Sequence, residues 1–129
     1  MHIPPLILAI DDSAEFLEII SLCLTQAGFE VKTASEVMAG FEIARSEKPD
    51  LILLDINMLG TNGTEALIDF KKDTALLGIK VAFLTDMAVP WLAVGNKEEF
   101  AKEIGAVAFF DKSKDLESLA EKIKGILGV

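Results

Sequence analysis

The chain is poor in the residues that carry most catalytic and metal chemistry. It has a single cysteine, Cys23, so no disulfide can close within it, and a reducing compartment fits. Cys23 stands among Ile19, Ile20, Leu22 and Leu24 and is expected to be a small core residue. The one histidine, His2, lies at the start of the chain. No His-based zinc site or Ser-His-Asp triad can therefore be drawn from the body of the sequence. Basic residues are scarce as well: twelve Lys and Arg stand against twenty-one Asp and Glu, for a formal net charge of −9. With no basic run, the chain should not bind nucleic acid directly or adhere to anionic membranes. No apolar stretch approaches the roughly 20 residues that span a bilayer, and Met1 to Leu8 lacks the basic start of a signal peptide. A cytoplasmic protein is expected.

The length of 129 residues fits one domain able to bury a core without disulfides or structural metals. Short, continuous apolar runs recur at Leu6 to Ile10, Leu51 to Leu54, Lys80 to Leu84 and Ala106 to Phe110, with a shorter, more polar one at Phe29 to Thr33. Continuous runs mark strands covered on both faces, as in parallel sheets. Helical periodicity fills the gaps. Phe16, Leu17, Ile20, Leu24 and Ala27 define a first helix, with Gly28 as its C-cap, and Val37, Phe41 and Ala44 define a second. Leu67 and Ile68, with Asn62 and Glu65 spaced as a capping box, mark a third. Phe100 and Ile104, closed by Gly105, mark a fourth, and Leu116, Leu119, Ile123 and Ile126/Leu127 a fifth. Five βα units in sequence imply a doubly wound α/β domain with a parallel sheet, a single domain over residues 1–129 with no output domain.

In such sheets ligands bind beyond the carboxyl ends of the strands. The residues just past the apolar runs are Asp11, Asp12, Asp55, Thr85 and Lys112, and all five should meet in one crevice. Three convergent carboxylates repel one another unless a hard cation such as Mg²⁺ joins them. Carboxylates, Mg²⁺, a lysine and a hydroxyl together suit phosphoryl transfer, where positioning and charge neutralisation dominate. A carboxylate can itself be the nucleophile, and Asp55, at the end of the most central-looking strand, is the best placed. Each residue alone would more often be a turn former, a cap or a solvated charge; the combination makes the functional reading.

The runs IleLeuAlaIleAspAspSer at 7–13, LeuIleLeuLeuAspIleAsnMet at 51–58 with Gly60 and Gly63, LeuThr at 84–85 and GlyAlaValAlaPhePheAspLys at 105–112 resemble a response-regulator receiver domain over nearly the whole chain. The resemblance implies a flavodoxin-like (βα)5 sandwich with strand order 2-1-3-4-5. It implies two-component phosphorelay signalling, with Asp55 as phosphoacceptor, Asp12 binding Mg²⁺ directly, Asp11 through water, and Asn57 through its backbone carbonyl. Thr85 would hold a phosphoryl oxygen, Lys112 would pair with the phosphoryl charge, and Phe109 would be the aromatic of the switch. The donor would be a sensor histidine kinase or phosphotransfer protein and the target a downstream protein, the chain itself being a monomer or weak dimer. It would not be an enzyme in the ordinary sense, although it would promote its own phosphorylation and dephosphorylation.

The pattern is broken in four places. Ser113 follows Lys112 where the family usually carries a cis proline. A cis bond before a non-proline costs about 2.5–4 kcal/mol, so Lys112 should be presented differently, with Ser113 free to cap the last helix. Leu59 replaces a usual proline, Asp86 follows Thr85 where a small residue is usual, and the segment from Thr85 to Lys112, with Pro90, Trp91 and Gly95, is a few residues longer than typical. Asp86 and Ser113 motivate an alternative, a receiver fold that works as a phosphorylation-independent interaction module. An aspartate-nucleophile phosphatase is disfavoured because Ser13 stands where its second Asp is needed.

Overall fold

The computed structural model describes residues 1–56, 70–76, 78–85 and 105–129. The expected fourth helix lies outside these residues, as do Asn62, Glu65, Leu67 and Ile68 of the third, of which residues 70–72 are described and helical, and Asn57, Leu59, Asp86, Pro90, Trp91 and Gly95. Five strands form one parallel sheet: β1 (Leu6–Ile10), β2 (Glu30–Ala34), β3 (Leu51–Asp55), β4 (Lys80–Thr85) and β5 (Ala108–Asp111). The order across the sheet is β2-β1-β3-β4-β5, as expected. Three α-helices are described by their bounds, α1 (Ala14–Gln26), α2 (Val37–Glu47) and α3 (Leu119–Leu127), with a short 3-10 helix at Thr74–Leu76. No helix among the described residues is long and apolar enough to cross a membrane.

Every residue of β1 and β3 is buried, so the apolar runs serve two cores at once. Successive side chains on a strand point to opposite faces. Ile7, Ala9, Leu51, Leu53, Ala82 and Leu84 pack with Leu17, Ile20 and Leu24 of α1 and Leu119, Ile123 and Leu127 of α3. The alternate residues Leu8, Ile10, Ile52, Leu54, Val81 and Phe83 pack with Val37, Phe41 and Ala44 of α2. Each large side chain so buried contributes about 1.5–3 kcal/mol.

The helix ends follow local chemistry. Ser13 caps α1, its hydroxyl accepting the Phe16 N–H at 3.2 Å. The other end closes as a Schellman motif: Gly28 takes φ +99°, its N–H donates to the Thr25 carbonyl, and the Phe29 N–H donates to the Leu24 carbonyl. Phe29 is thereby drawn against the α1 core, which is why β2 starts one residue later than its apolar run. Cys23 is only partly buried, and its neighbours Ile19 and Leu22 are exposed, which corrects the reading of Cys23 as a core residue. Their apolar run continues around α1 beyond the stripe that faces the sheet.

Gly40 sits inside α2, where glycine is costly to helix stability. Its reason is close approach: a Cβ there would lie 2.7 Å from Ile10 Cγ1. Gly40→Ala should therefore lower stability by about 1–3 kcal/mol despite the better helix propensity of alanine. The urea midpoint measures this, and an unchanged or raised midpoint would refute the packing argument.

Candidate functional site

The sheet register aligns the residues beyond the strands. Ile10 pairs with Leu54, so Asp11 and Asp55 are neighbours one step further along β1 and β3. Asp55 pairs with Leu84 and Thr85 with Asp111, so Thr85 and Lys112 continue the same rim. Asp11 and Asp55 are buried and Asp12 is exposed. One carboxylate oxygen from each lies within 4.8 Å of the others.

Lys112 closes the cluster. Its Nζ is 2.5 Å from Asp11 Oδ2 and 3.4 Å from Asp55 Oδ2, with only 9% of the side chain exposed. Burial alone would push the lysine pKa down. The Asp11 and Asp55 carboxylates outweigh it, and the ammonium is held above the usual lysine range. The main chain helps to aim it, because the Lys112 N–H donates to the Thr85 carbonyl at 2.6 Å.

Asp11 divides its work. Oδ1 accepts the Ser13 N–H at 2.8 Å. Oδ2 meets the Lys112 ammonium as an ion pair but has no aligned hydrogen bond, although it is fully buried. Among the described residues of this cluster, three carboxylates stand against the Lys112 ammonium, a formal excess of two negative charges. An under-coordinated buried oxygen in an all-oxygen, net-negative donor set fits a hard divalent cation such as Mg²⁺.

Thr85 is buried at the end of β4. Phe83, two residues before it on the same side of the strand, meets the half-buried Phe109 edge to face, centroids 6.1 Å apart. The structure thus brings Asp11, Asp12, Asp55 and Lys112 together, sets Thr85 on the same rim, and puts Phe109 one layer below. Asn57 lies outside the described residues.

A receiver-domain match covers almost all of this arrangement. Residues 7–124 match the family described as "Response regulator receiver domain". The chain belongs to this family. It is 31% identical over 121 residues to protein PilH of Pseudomonas aeruginosa, covering 94% of this chain and 96% of that one. It is also 31% identical over 123 residues to the phosphate regulon transcriptional regulatory protein PhoB of the same organism, covering 94% of this chain but 51% of PhoB. The chain thus spans about half the length of PhoB and nearly all of PilH. Among solved structures, chemotaxis protein CheY4 of Vibrio cholerae superposes with a TM-score of 0.80 at 25% identity, covering 95% of this chain and 98% of CheY4. As a receiver domain of two-component response regulators, the chain is related to signalling proteins rather than to ordinary enzymes.

The turn after β5 lacks a cis bond, in line with Ser113 standing after Lys112, but Ser113 has another partner than the expected cap. Among the described residues the only cis peptide is Ile3–Pro4, so Lys112–Ser113 is trans. Ser113 does not cap the last helix: α3 begins at Leu119, and the Ser113 hydroxyl donates to Asp111 Oδ1 at 2.8 Å. That oxygen also accepts the N–H groups of Ser113 and Lys114, while the Asp111 N–H donates to Asp115 Oδ2. Asp115 in turn pairs with Lys122 of α3 at 2.6 Å. A carboxylate-centred turn therefore holds the backbone on both sides of Lys112. Residue types alone signalled only that Asp111 ends a strand.

These hydrogen bonds, the Lys114 N–H foremost, hold the Asp111 carboxyl down at a pKa of about 2, against an ordinary 3.8. A depressed carboxyl stabilises the fold fully above its unfolded pKa, and that contribution is lost as pH falls through the folded value. Asp111→Asn should therefore be less stable than the natural chain at pH 6, with the gap closing as pH falls from about 4 to about 2. Urea unfolding across that range measures it. A gap that does not change with pH would contradict this role for the charge.

Proposed function

We propose that this receiver accepts a phosphoryl group on Asp55, with Mg²⁺ held by Asp11, Asp12, Asp55 and the backbone carbonyl of Asn57. The observation that carries this reading is a lysine ammonium shared between two buried carboxylates, beside a third, in a domain of the receiver family. Mg²⁺, when bound, would neutralise the phosphoryl oxygens and offset the repulsion between carboxylates.

The chain's own residues supply the rest. An Asp55 carboxylate oxygen forms a bond to phosphorus as the donor's bond to phosphorus breaks, and the leaving atom takes that electron pair. The product is an acyl phosphate. Lys112, already charged and aimed, transfers part of its pairing from Asp55 to the phosphoryl oxygens. Burial of Asp55 limits water, which would otherwise hydrolyse the product. The phosphoryl adds about −1.5 to −2 charge and three acceptor oxygens. The Thr85 hydroxyl would turn to one of them, and Phe109, half-buried against Phe83, would change its packing in response. An altered surface around β5 would then be read by a partner protein. Family membership points to a histidine kinase or phosphotransfer protein as donor.

Incubation with Mg²⁺ and acetyl phosphate, followed by intact mass, tests the proposal. One phosphoryl per chain, lost on adding a chelator before the donor, is the expected result. An unchanged mass, together with no Mg²⁺ binding by calorimetry, would overturn it and leave an interaction module that does not cycle phosphate.

A further inference from the structure

Lys112 has a third neighbour besides Asp11 and Asp55. Its Nζ lies 4.5 Å from the centroid of the Phe16 ring, over the ring face. Aromatic faces carry negative charge density and attract an ammonium, more strongly where water is excluded. The lysine stem is long and flexible, so two carboxylates on one side do not alone decide where Nζ rests. The ring supplies a wall on another side.

Phe16 is itself held in register with the site. Its N–H donates to Ser13 Oγ, and the Ser13 N–H donates to Asp11 Oδ1. Asp11 Oδ2 then faces Lys112, which faces the ring. The contacts close a circuit: Asp11, Ser13, Phe16, Lys112 and back to Asp11. The sequence pattern marks Phe16 only as part of the apolar stripe of α1, and part of it does pack on that core.

We propose that Phe16 is a positioning residue for phosphoryl transfer, its ring face holding the Lys112 ammonium beside Asp55. This rests on the reading of Asp55 as phosphoacceptor, so the test has one arm that needs no phosphoryl. In that arm, NMR records the Lys112 side-chain methylene protons, assigned with Lys112→Met. They should show the upfield shift of protons over an aromatic face in the natural chain and in Phe16→Tyr, and lose it in Phe16→Leu. In the second arm, intact mass follows uptake from acetyl phosphate with Mg²⁺. Phe16→Leu, which keeps apolar bulk, should slow uptake roughly three- to tenfold, and Phe16→Tyr should stay near the natural rate. No upfield shift in the natural chain, or full-speed uptake by Phe16→Leu, would overturn the proposal. So would a tyrosine variant as slow as the leucine one. An upfield shift with neither uptake nor Mg²⁺ binding by the natural chain would instead overturn the phosphoacceptor reading and leave the Lys112–Phe16 contact in place.

Discussion

Asp55→Asn should fold normally and take up no phosphoryl from acetyl phosphate, a fall of at least about a hundredfold against the natural chain. An amide oxygen is a far poorer nucleophile than a carboxylate, and the adduct that defines the signal cannot form on it. The fold should survive because β3 is anchored by Leu51 to Leu54, buried on both faces, while Asp55 is at the strand's end. Losing one of three clustered carboxylates also relieves repulsion. The natural chain and Asp55→Asn, compared by intact mass and urea unfolding, check both statements. Equal uptake by the variant would move the acceptor elsewhere.

Lys112→Met carries the second large effect. Without the ammonium, buried Asp11 and Asp55 face each other and Asp12 without the Lys112 counter-charge. Breaking a buried pair in this way costs roughly 3–5 kcal/mol, with the lower end expected because Asp12 is exposed to water. Mg²⁺ should recover much of that loss, since a ligand that binds only the folded state adds stability as its concentration rises above its dissociation constant. The signature is a midpoint that rises with Mg²⁺ more steeply in the variant than in the natural chain. A variant as stable as the natural chain without Mg²⁺, or one insensitive to it, would refute this balance of charges.

Much of this was legible in residue order. The four apolar runs emerged as strands because a strand buried on both faces has no polar alternation to obscure it. The carboxylates and Lys112 were legible because the fold gathers whatever follows those strands. Boundaries were less so. The fourth run was expected to be strand from Ala106, but pairing starts at Ala108, after the left-handed turn at Gly105. Helix periodicity was extended back to Leu116, while Leu116 to Ser118 form turns whose course is set by Asp111 and Asp115.

The residues that sequence reasoning missed act through geometry rather than type. Ser13 was weighed only as the absence of a second catalytic Asp, although a serine just before an amphipathic run is an N-cap signal. Phe16 fits a core stripe equally well with or without a lysine above it. Gly40 shows its purpose only once Ile10 is found against it. The Asp111 turn depends on three donors from two residues, Ser113 and Lys114, neither of which is unusual alone.

The central claim is the identity of the acceptor atom, and reductive trapping tests it most directly. Borohydride converts an aspartyl phosphate to homoserine, and peptide mass mapping locates the change. After treatment with Mg²⁺ and acetyl phosphate, the account predicts homoserine at position 55 alone, and none when Mg²⁺ is withheld. Homoserine at position 11 or 12, or conversion at 55 independent of Mg²⁺, would contradict it.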